Sequence, residues 1–388
     1  MDGQLTDRGR ETTFALGQRL GNLYINQLGF MPLIMTSPDQ VQLRATVIAR
    51  ALESVQQAFV GMYPAANRQC EAPSIITRPF SQQTLAPNDG ACARFKEIAQ
   101  QYGKRAASRY NDTPEMAYLR KMLNKHMFKE AKNDKQGIFV DSHPRASGVL
   151  DHLYTTLAHG PATKLPSEFY DPTVIKYLDN IVTQEWFSGY QESEEYRRLG
   201  IGGLAGDVVT RMVEHVEGEA APTGFRFSMS GAHDTTLAAF LASFGAFDNI
   251  WPFYTSHIAI ELFKVKEKAE EKQKDESKSS LANSISFLIP TKSSSNSIAH
   301  KPAAEVSPKD LERLKGYYVR LRYNDRPVTV PGCRPQGKHL DGNETFCTLE
   351  EFKRIADKFT PKDWVKECNE DLGKTAFPKK IEPAGYSD

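Results

Sequence analysis

The N-terminal part of the chain combines helical and strand-like spacing of apolar residues. The first segment predicts a helix with Thr6 as its N-cap. The apolar face of this helix consists of Leu16, Leu20, Leu23 and Tyr24. A short strand is predicted over residues 41–46, and it leads directly into a second helix that ends near Gly61 and Pro64. The apolar face of the second helix consists of Ile48, Leu52, Val55 and Phe59.

Strand signals return in the second half of the chain. Residues 225–230 read as a strand, and the helix after them is expected to stop at Gly245. Alternating apolar and polar residues predict two further strands, 256–263 and 318–323, before a turn at Asn324 and Asp325. Strands that pass into helices place the chain in the α/β class, with a core formed by residues 1–91 and 223–330.

The segment between the two halves of this core differs from them in amino-acid composition. Residues 92–222 are polar, helix-prone and poor in runs of β-branched residues. Helices are expected at 115–129, 147–157, 172–186 and 192–217. We therefore predict an inserted, all-helical cap lobe.

Two segments are predicted to lack packed structure. Residues 264–308 begin with a Lys/Glu run and continue as a Ser-rich tract, a composition typical of a disordered insert. Residues 331–388 form a C-terminal segment, and its last part, from residue 366, is expected to be a loose tail.

Composition excludes several classes of partner. The formal net charge is +1, from 49 Lys and Arg against 48 Asp and Glu, so neither nucleic acid nor an anionic membrane is expected as a partner. No apolar run reaches the length of a transmembrane segment, and no signal peptide is visible. Five cysteines leave both a disulfide between Cys333 and Cys347 and free buried thiols open. The compartment, whether intracellular, mitochondrial or secreted, and the oligomeric state also stay open.

Two junctions between a strand and a helix carry candidate chemistry. Arg44 lies near the carboxyl end of the strand at 41–46, and His233 and Asp234 follow the strand at 225–230. Ligands collect at such strand ends, and helix N-termini there favour anions. A guanidinium can bind two phosphate oxygens at once. A phosphate pocket is therefore the functional interpretation. The alternative is an exposed Arg and a surface or helix-capping His-Asp pair.

Several sequence blocks resemble the histidine acid phosphatases. The run from Arg44 to Pro64 is similar to a family block that carries R-S-T, R, E-S, G and Y-P in this order, with Ala45 in place of the usual Ser. Residues 230–236, S-G-A-H-D-T-T, resemble the H-D signature, and 251–257 its continuation. Residues 3–20 resemble the G-x-L-T-x-x-G helix. The C-terminal cysteine blocks at 331–333 and 346–349, with Cys368, also fit. The blocks look nearest to fungal acid phosphatases and lysophosphatidic acid phosphatase type 6.

The resemblance implies hydrolysis of phosphate monoesters through a phosphohistidine. It assigns phosphate binding to Arg44 and His233, with His233 and Asp234 as catalytic residues and Asp234 as the proton donor to the leaving oxygen. It implies no metal and no organic cofactor. The expected partner is a small-molecule phosphate monoester, with lysophosphatidate, phytate and general monoesters all open.

The nucleophile expected from the family is missing from this sequence. The family carries it in R-H-G-x-R-x-P, on the first core strand, and none of the nine histidines here fits that pattern. The closest is His159, which precedes Gly160 but follows Ala158. We therefore expect the first core strand to be absent, which would leave its two neighbours facing a gap. A gene model that starts at an internal Met would explain this. The alternatives are a non-catalytic, phosphate-binding pseudophosphatase and a poorly folded fragment.

Overall fold

A computed structural model describes residues 3–127, 137–218, 225–265 and 297–388. Its helices are α1 (Asp7–Gly21), α2 (Ala49–Met62), α3 (Ala93–Tyr110), α4 (Pro114–Leu123), α5 (Ala146–His159), α6 (Pro172–Glu192), α7 (Glu194–Arg197), α8 (Gly203–Glu217), α9 (Asp234–Ser243), α10 (Pro308–Leu311), α11 (Leu349–Lys358) and α12 (Trp364–Glu367). Its strands are β1 (Val41–Ala45), β2 (Ile75–Ile76), β3 (Phe227–Gly231), β4 (Ile258–Lys264), β5 (Tyr317–Tyr323), β6 (Arg326–Val328), β7 (His339–Leu340) and β8 (Asn343–Thr348).

These strands form two sheets, and the α/β class is confirmed. The first sheet is parallel with the order β2-β1-β3, and Arg44 of β1 pairs with Ser230 of β3. The second is antiparallel with the order β4-β5-β8-β7, and β6 pairs with β5. Within the described residues, β3 and β4 are therefore both edge strands.

Helices α1 and α2 pack closely on the first sheet. Thr6 caps α1 as predicted, because its side chain accepts a hydrogen bond from the backbone N–H of Gly9. Glycines form the crossing between the two helices: a Cβ on Gly17 would lie 2.0 Å from the carbonyl oxygen of Ala58. A Cβ on Gly61 would lie 2.1 Å from the carbonyl oxygen of Phe14. The close approach of the two backbones therefore depends on glycine at both positions.

Replacement of Gly61 by Ala is expected to destabilise the protein. The new methyl group meets a backbone oxygen that cannot rotate away, so the helices must separate, at a cost of about 1–3 kcal/mol. Urea denaturation measures this loss. Gly103→Ala is the matched control, because a Cβ at this position of α3 has no neighbour within 4 Å. The control should be neutral or slightly stabilising, and equal midpoints for the two variants would contradict the packing described.

Among the described residues of 93–217, every regular element is a helix, from α3 to α8. The helices α4, α5 and α6 share an apolar cluster that includes Met116, Leu150 and Val182. The division of the chain into a core and a cap lobe, 92–222, stays a prediction. No helix in the described ranges is both long and apolar enough to cross a membrane.

The predicted disorder of residues 264–308 is wrong at both ends. Lys264 is the last residue of β4, residues 297–300 contact α8, and residues 303–305 contact α11. Ile298 and Ala299 are each 2% exposed, and the carboxylate of Glu217 accepts hydrogen bonds from the hydroxyl of Ser297 and the backbone N–H of Ile298. A few buried residues, with Ala303 among them, therefore hold this otherwise polar and largely exposed segment in place. Residues 266–296 of the predicted insert lie outside the described residues.

The prediction of a loose tail from residue 366 onward is also wrong. Cys368 forms a disulfide with Cys92, which precedes α3. The buried guanidinium of Arg94 donates hydrogen bonds to the carbonyl oxygens of Lys374 and Thr375, both at 2.9 Å. The polar composition misled the prediction, because this segment is held by its backbone oxygens, a covalent bond and only a few apolar contacts, such as that of Phe377 with Tyr102. A second disulfide joins Cys333 and Cys347, the pair suggested by the sequence.

Loss of the Cys92–Cys368 disulfide is expected to destabilise the protein strongly. The bond joins residues separated by 276 positions, so its loss frees a long loop in the unfolded chain and should cost about 2–5 kcal/mol. The measurement is the free energy of unfolding of the double Cys→Ser variant under non-reducing conditions. Cys70→Ser is the control, because Cys70 is not in a disulfide. An unchanged free energy in the double variant would argue against this bond.

Candidate functional site

The first sheet brings its candidate residues to one edge through its parallel pairing. Ala45 at the end of β1 pairs with Gly231 at the end of β3, and the backbone N–H of Thr46 donates to the carbonyl oxygen of Gly231 at 3.2 Å. Helices α2 and α9 begin within a few residues of these strand ends. Two helix N-termini therefore face the same edge, where their free N–H groups favour an anion.

Gly231 allows this close assembly of strand and helix. A Cβ at this position would lie 2.2 Å from the carbonyl oxygen of Ala51 in the first turn of α2. A larger residue would push β3 away from α2. The glycine in the S-G-A-H-D-T-T block thus has a packing role that places His233 beside the N-terminus of α2.

His233 is the N-cap residue of α9. Its Nε2 is in a hydrogen bond with the hydroxyl of Thr46, 2.9 Å away, and its backbone N–H donates to the hydroxyl of Thr236. Burial lowers the pKa of His233 below the ordinary histidine value, and the nearby charge of Arg50 lowers this pKa further. The imidazole is therefore neutral over a wider pH range than an exposed histidine, and it gains its positive charge only in more acidic solution.

Asp234 is the first residue of α9, and both of its carboxylate oxygens accept hydrogen bonds. Oδ1 accepts from the backbone N–H of Thr235 at 2.7 Å, and Oδ2 accepts from the indole Nε1–H of Trp251 at 2.9 Å. A negative charge at the first turn of a helix is also favoured by the helix dipole. The orientation of this carboxylate is therefore fixed from two sides.

Arg44 is buried and has a charged partner of its own. One terminal nitrogen of its guanidinium is paired with the carboxylate of Asp207 on α8. Asp207 also pairs with Arg211, at 3.3 Å. Two guanidinium groups thus share one carboxylate, which leaves this side of the sheet edge locally positive. Among the described residues, the Arg44 side chain donates a hydrogen bond to Asp207, and no hydrogen bond joins it to His233 or Asp234.

The structure thus places the ends of β1 and β3 side by side, but the sequence prediction missed several neighbours of the candidate residues. Thr46 and Arg50 lie inside the block that begins at Arg44, so a closer inspection of that block could have found them. Asp207 contacts Arg44 across 163 positions of sequence, and Trp251 contacts Asp234 across 17. No local pattern marks either contact in the sequence.

The two sheets approach each other on either side of Tyr24. The ring of Tyr24 contacts Phe227 of β3, with ring centroids 5.3 Å apart, and its hydroxyl donates to Glu261 of β4 at 2.7 Å. Phe227 lies on β3, which pairs with β1, and Glu261 lies on β4, which pairs with β5; among the described strands neither has another partner. In the described residues, β3 and β4 therefore each lack a second partner strand on the side that Tyr24 bridges.

Comparison with known proteins identifies the family. The family model for the histidine phosphatase superfamily (branch 2) matches residues 1–289. The chain therefore belongs to this superfamily, as its sequence blocks indicate.

Individual relatives and solved structures agree with this assignment. The chain is 35% identical over 367 residues to a probable acid phosphatase of Schizosaccharomyces pombe, a match that covers 94% of this chain and 76% of that protein. It is 25% identical over 273 residues to lysophosphatidic acid phosphatase type 6 of Homo sapiens, which covers 69% of this chain and 58% of that protein. The fold is similar to that of the Klebsiella sp ASR1 phytase, with a TM-score of 0.57 at 15% identity over 94% of this chain and 89% of that one.

Proposed function

We propose that this protein provides the phosphate-binding and proton-donating part of an acid phosphomonoesterase site. The observation that carries the proposal is the pairing of β1 with β3, which brings Arg44 and the His233-Asp234 pair to one sheet edge beside two helix N-termini. Membership of the histidine phosphatase superfamily and similarity to acid phosphatases support the same reaction.

In this proposal the candidate residues divide the binding and proton-transfer steps between them. Arg44 and His233 bind the non-bridging oxygens of the phosphate, where negative charge is held during the transfer. A histidine nitrogen attacks phosphorus, the ester P–O bond breaks, and Asp234 gives its proton to the leaving oxygen. Water then attacks the phosphohistidine, Asp234 takes a proton from that water, and the P–N bond breaks to release phosphate.

The attacking histidine is the part that this sequence does not supply. None of its nine histidines lies in an R-H-G-x-R-x-P pattern. We propose that the strand with this pattern pairs between β3 and β4, because both have an unpaired edge within the described residues. A strand there would end beside His233, as β3 does.

The ion pair with Asp207 would hold the Arg44 side chain in a fixed orientation before phosphate binds. One nitrogen of the guanidinium is occupied by Asp207, which fixes the plane of the group and leaves further N–H donors for an oxyanion. Arg211 partly neutralises Asp207. The carboxylate therefore repels an incoming phosphate less than an unpaired one would.

The second candidate is a non-catalytic protein that binds phosphate through the same residues. The absence of the R-H-G-x-R-x-P pattern from this sequence favours it. Both candidates require Arg44 and His233 to bind an oxyanion, and they differ only in turnover.

Assays with an aryl phosphate separate the two candidates. The 388-residue chain is compared with the same chain preceded by the residues encoded directly upstream of it. Hydrolysis by the longer form, with phosphate binding but no hydrolysis by the 388-residue form, supports the phosphatase. Phosphate binding without hydrolysis in both forms would support the non-catalytic candidate.

A further inference from the structure

We propose that Trp251 is a positioning residue for Asp234, and that Asp179 of the helical region holds Trp251 in place. The inference rests on the proposed function, in which Asp234 is the proton donor. It adds a connection between the helices of residues 93–217 and the reactive carboxylate.

The first contact is between Trp251 and Asp234. The indole Nε1–H donates to Oδ2 of Asp234 at 2.9 Å, while Oδ1 is held by the N–H of Thr235. A carboxylate at a helix N-terminus can rotate about its terminal torsion, which is broad for Asp. With one donor on each oxygen, that rotation is restricted. The indole therefore determines how the plane of the carboxyl group faces the space above the sheet edge.

The second contact joins Trp251 to α6. The backbone N–H of Trp251 donates to Oδ1 of Asp179 at 3.0 Å, and the hydroxyl of Tyr154 on α5 donates to the same oxygen at 2.9 Å. Asp179 is 9% exposed, so its charge is costly unless it is hydrogen-bonded. Burial raises the pKa of Asp179, in keeping with its position inside the protein.

Aromatic contacts also hold the indole of Trp251 in place. Trp186 and Phe187 of α6 contact the ring of Trp251, with centroids 5.7 Å and 5.0 Å apart. The indole is thus held by one helix through a backbone hydrogen bond and two ring contacts, and it contacts the catalytic candidate with its only donor. A shift of α6 relative to the sheet would move the carboxyl group of Asp234.

The three tryptophans of the chain give this inference a direct readout. The indole N–H of Trp251 donates to a carboxylate, that of Trp364 donates to the carbonyl oxygen of Leu199 at 2.8 Å, and that of Trp186 has no hydrogen bond to any described residue. A two-dimensional ¹H–¹⁵N spectrum of the 388-residue chain resolves the three indole signals. Trp251→Phe assigns the first of them.

The test compares variants that alter one contact at a time. Asp234→Asn replaces a charged acceptor by a neutral one, so the Trp251 indole proton should move upfield while the Trp364 signal stays in place. Asp179→Ala should also move the Trp251 signal, and Asp179→Asn, which keeps an oxygen acceptor, should restore most of its position. Tyr154→Phe removes one of the two donors to Asp179 and should move the Trp251 signal by a smaller amount. This variant replaces Asp179→Ala in the test if Asp179→Ala does not fold.

Two results would overturn the inference. One is a Trp251 signal that does not change in Asp234→Asn. The other is a Trp251 signal that stays in place in Asp179→Ala, or in Tyr154→Phe where Asp179→Ala does not fold. Addition of inorganic phosphate to the wild-type chain tests the proposed function separately, because an oxyanion beside Asp234 should perturb Trp251 and leave Trp364 unchanged. A spectrum that is insensitive to phosphate but sensitive to Asp234→Asn would contradict the proposed function and leave the positioning role standing.

Discussion

Asp234→Asn is expected to lower the hydrolysis of an alkyl phosphate by about 10²–10⁴-fold in the form of the protein that carries the nucleophile. Asn keeps the shape of the side chain but has no proton to give to the leaving oxygen. The loss should be much smaller with an aryl phosphate whose leaving group needs no proton. The measurement is kcat/KM for the two substrates, side by side, because this ratio reports the steps up to formation of the phosphohistidine and not the later hydrolysis, in which Asp234 acts on water.

Asp248→Asn provides the matched control for this substitution. Asp248 lies in the loop after α9, where its carboxylate accepts a hydrogen bond from the backbone N–H of Ile250. It should leave kcat/KM unchanged for both substrates. An equal loss of kcat/KM with alkyl and aryl phosphates in Asp234→Asn would remove the proton-donor role from Asp234.

Arg44→Ala is expected to weaken the binding of inorganic phosphate by about 10- to 100-fold, the effect of losing one or two hydrogen bonds to a charged group. Titration calorimetry on the 388-residue chain measures this without any need for turnover. Arg44→Lys should recover only part of the affinity, because an ammonium group lacks the planar fork.

The result of the Arg44→Ala substitution can be interpreted because Asp207 has a second charged partner. In Arg44→Ala the carboxylate of Asp207 keeps Arg211 as a partner, so the variant is not left with an unpaired buried charge. Arg19→Ala is the control, because Arg19 is about half exposed and its nearest carboxylate, that of Asp325, is 3.7 Å away. Wild-type phosphate affinity in Arg44→Ala would exclude Arg44 from the site.

Local sequence signals predicted the elements that form the sheet edge. The strand at 41–46, the helix after it and the helix after His233 were each found within a few residues of β1, α2 and α9. These elements have clear periodicity and local capping, so their structure is largely encoded nearby. The packing of residues 297–308 and of the C-terminal segment was missed, because it depends on Glu217 and on Cys92, far away in the sequence.

The residues of the candidate site also divide into those that the sequence predicted and those that it did not. Arg44, His233 and Asp234 lie in sequence blocks and were identified from them. Asp207 was not, since its contact with Arg44 spans 163 positions and Asp207 sits on a helix with no recognisable motif. Trp251 lies in the block 251–257, but its contact with Asp234 was not predicted. Trp251 is only 17 positions from Asp234, but the direction of an indole N–H cannot be read from spacing. Side-chain partners that depend on the tertiary fold are therefore what the sequence leaves out.

The most direct test of the account is a crystal structure of this chain with tungstate, an electron-dense analogue of phosphate. The account predicts one tungstate at the shared end of β1 and β3, with its oxygens within hydrogen-bonding distance of both the Arg44 guanidinium and the His233 imidazole. Tungstate that contacts neither residue, with Arg44 still turned to Asp207 alone, would contradict it.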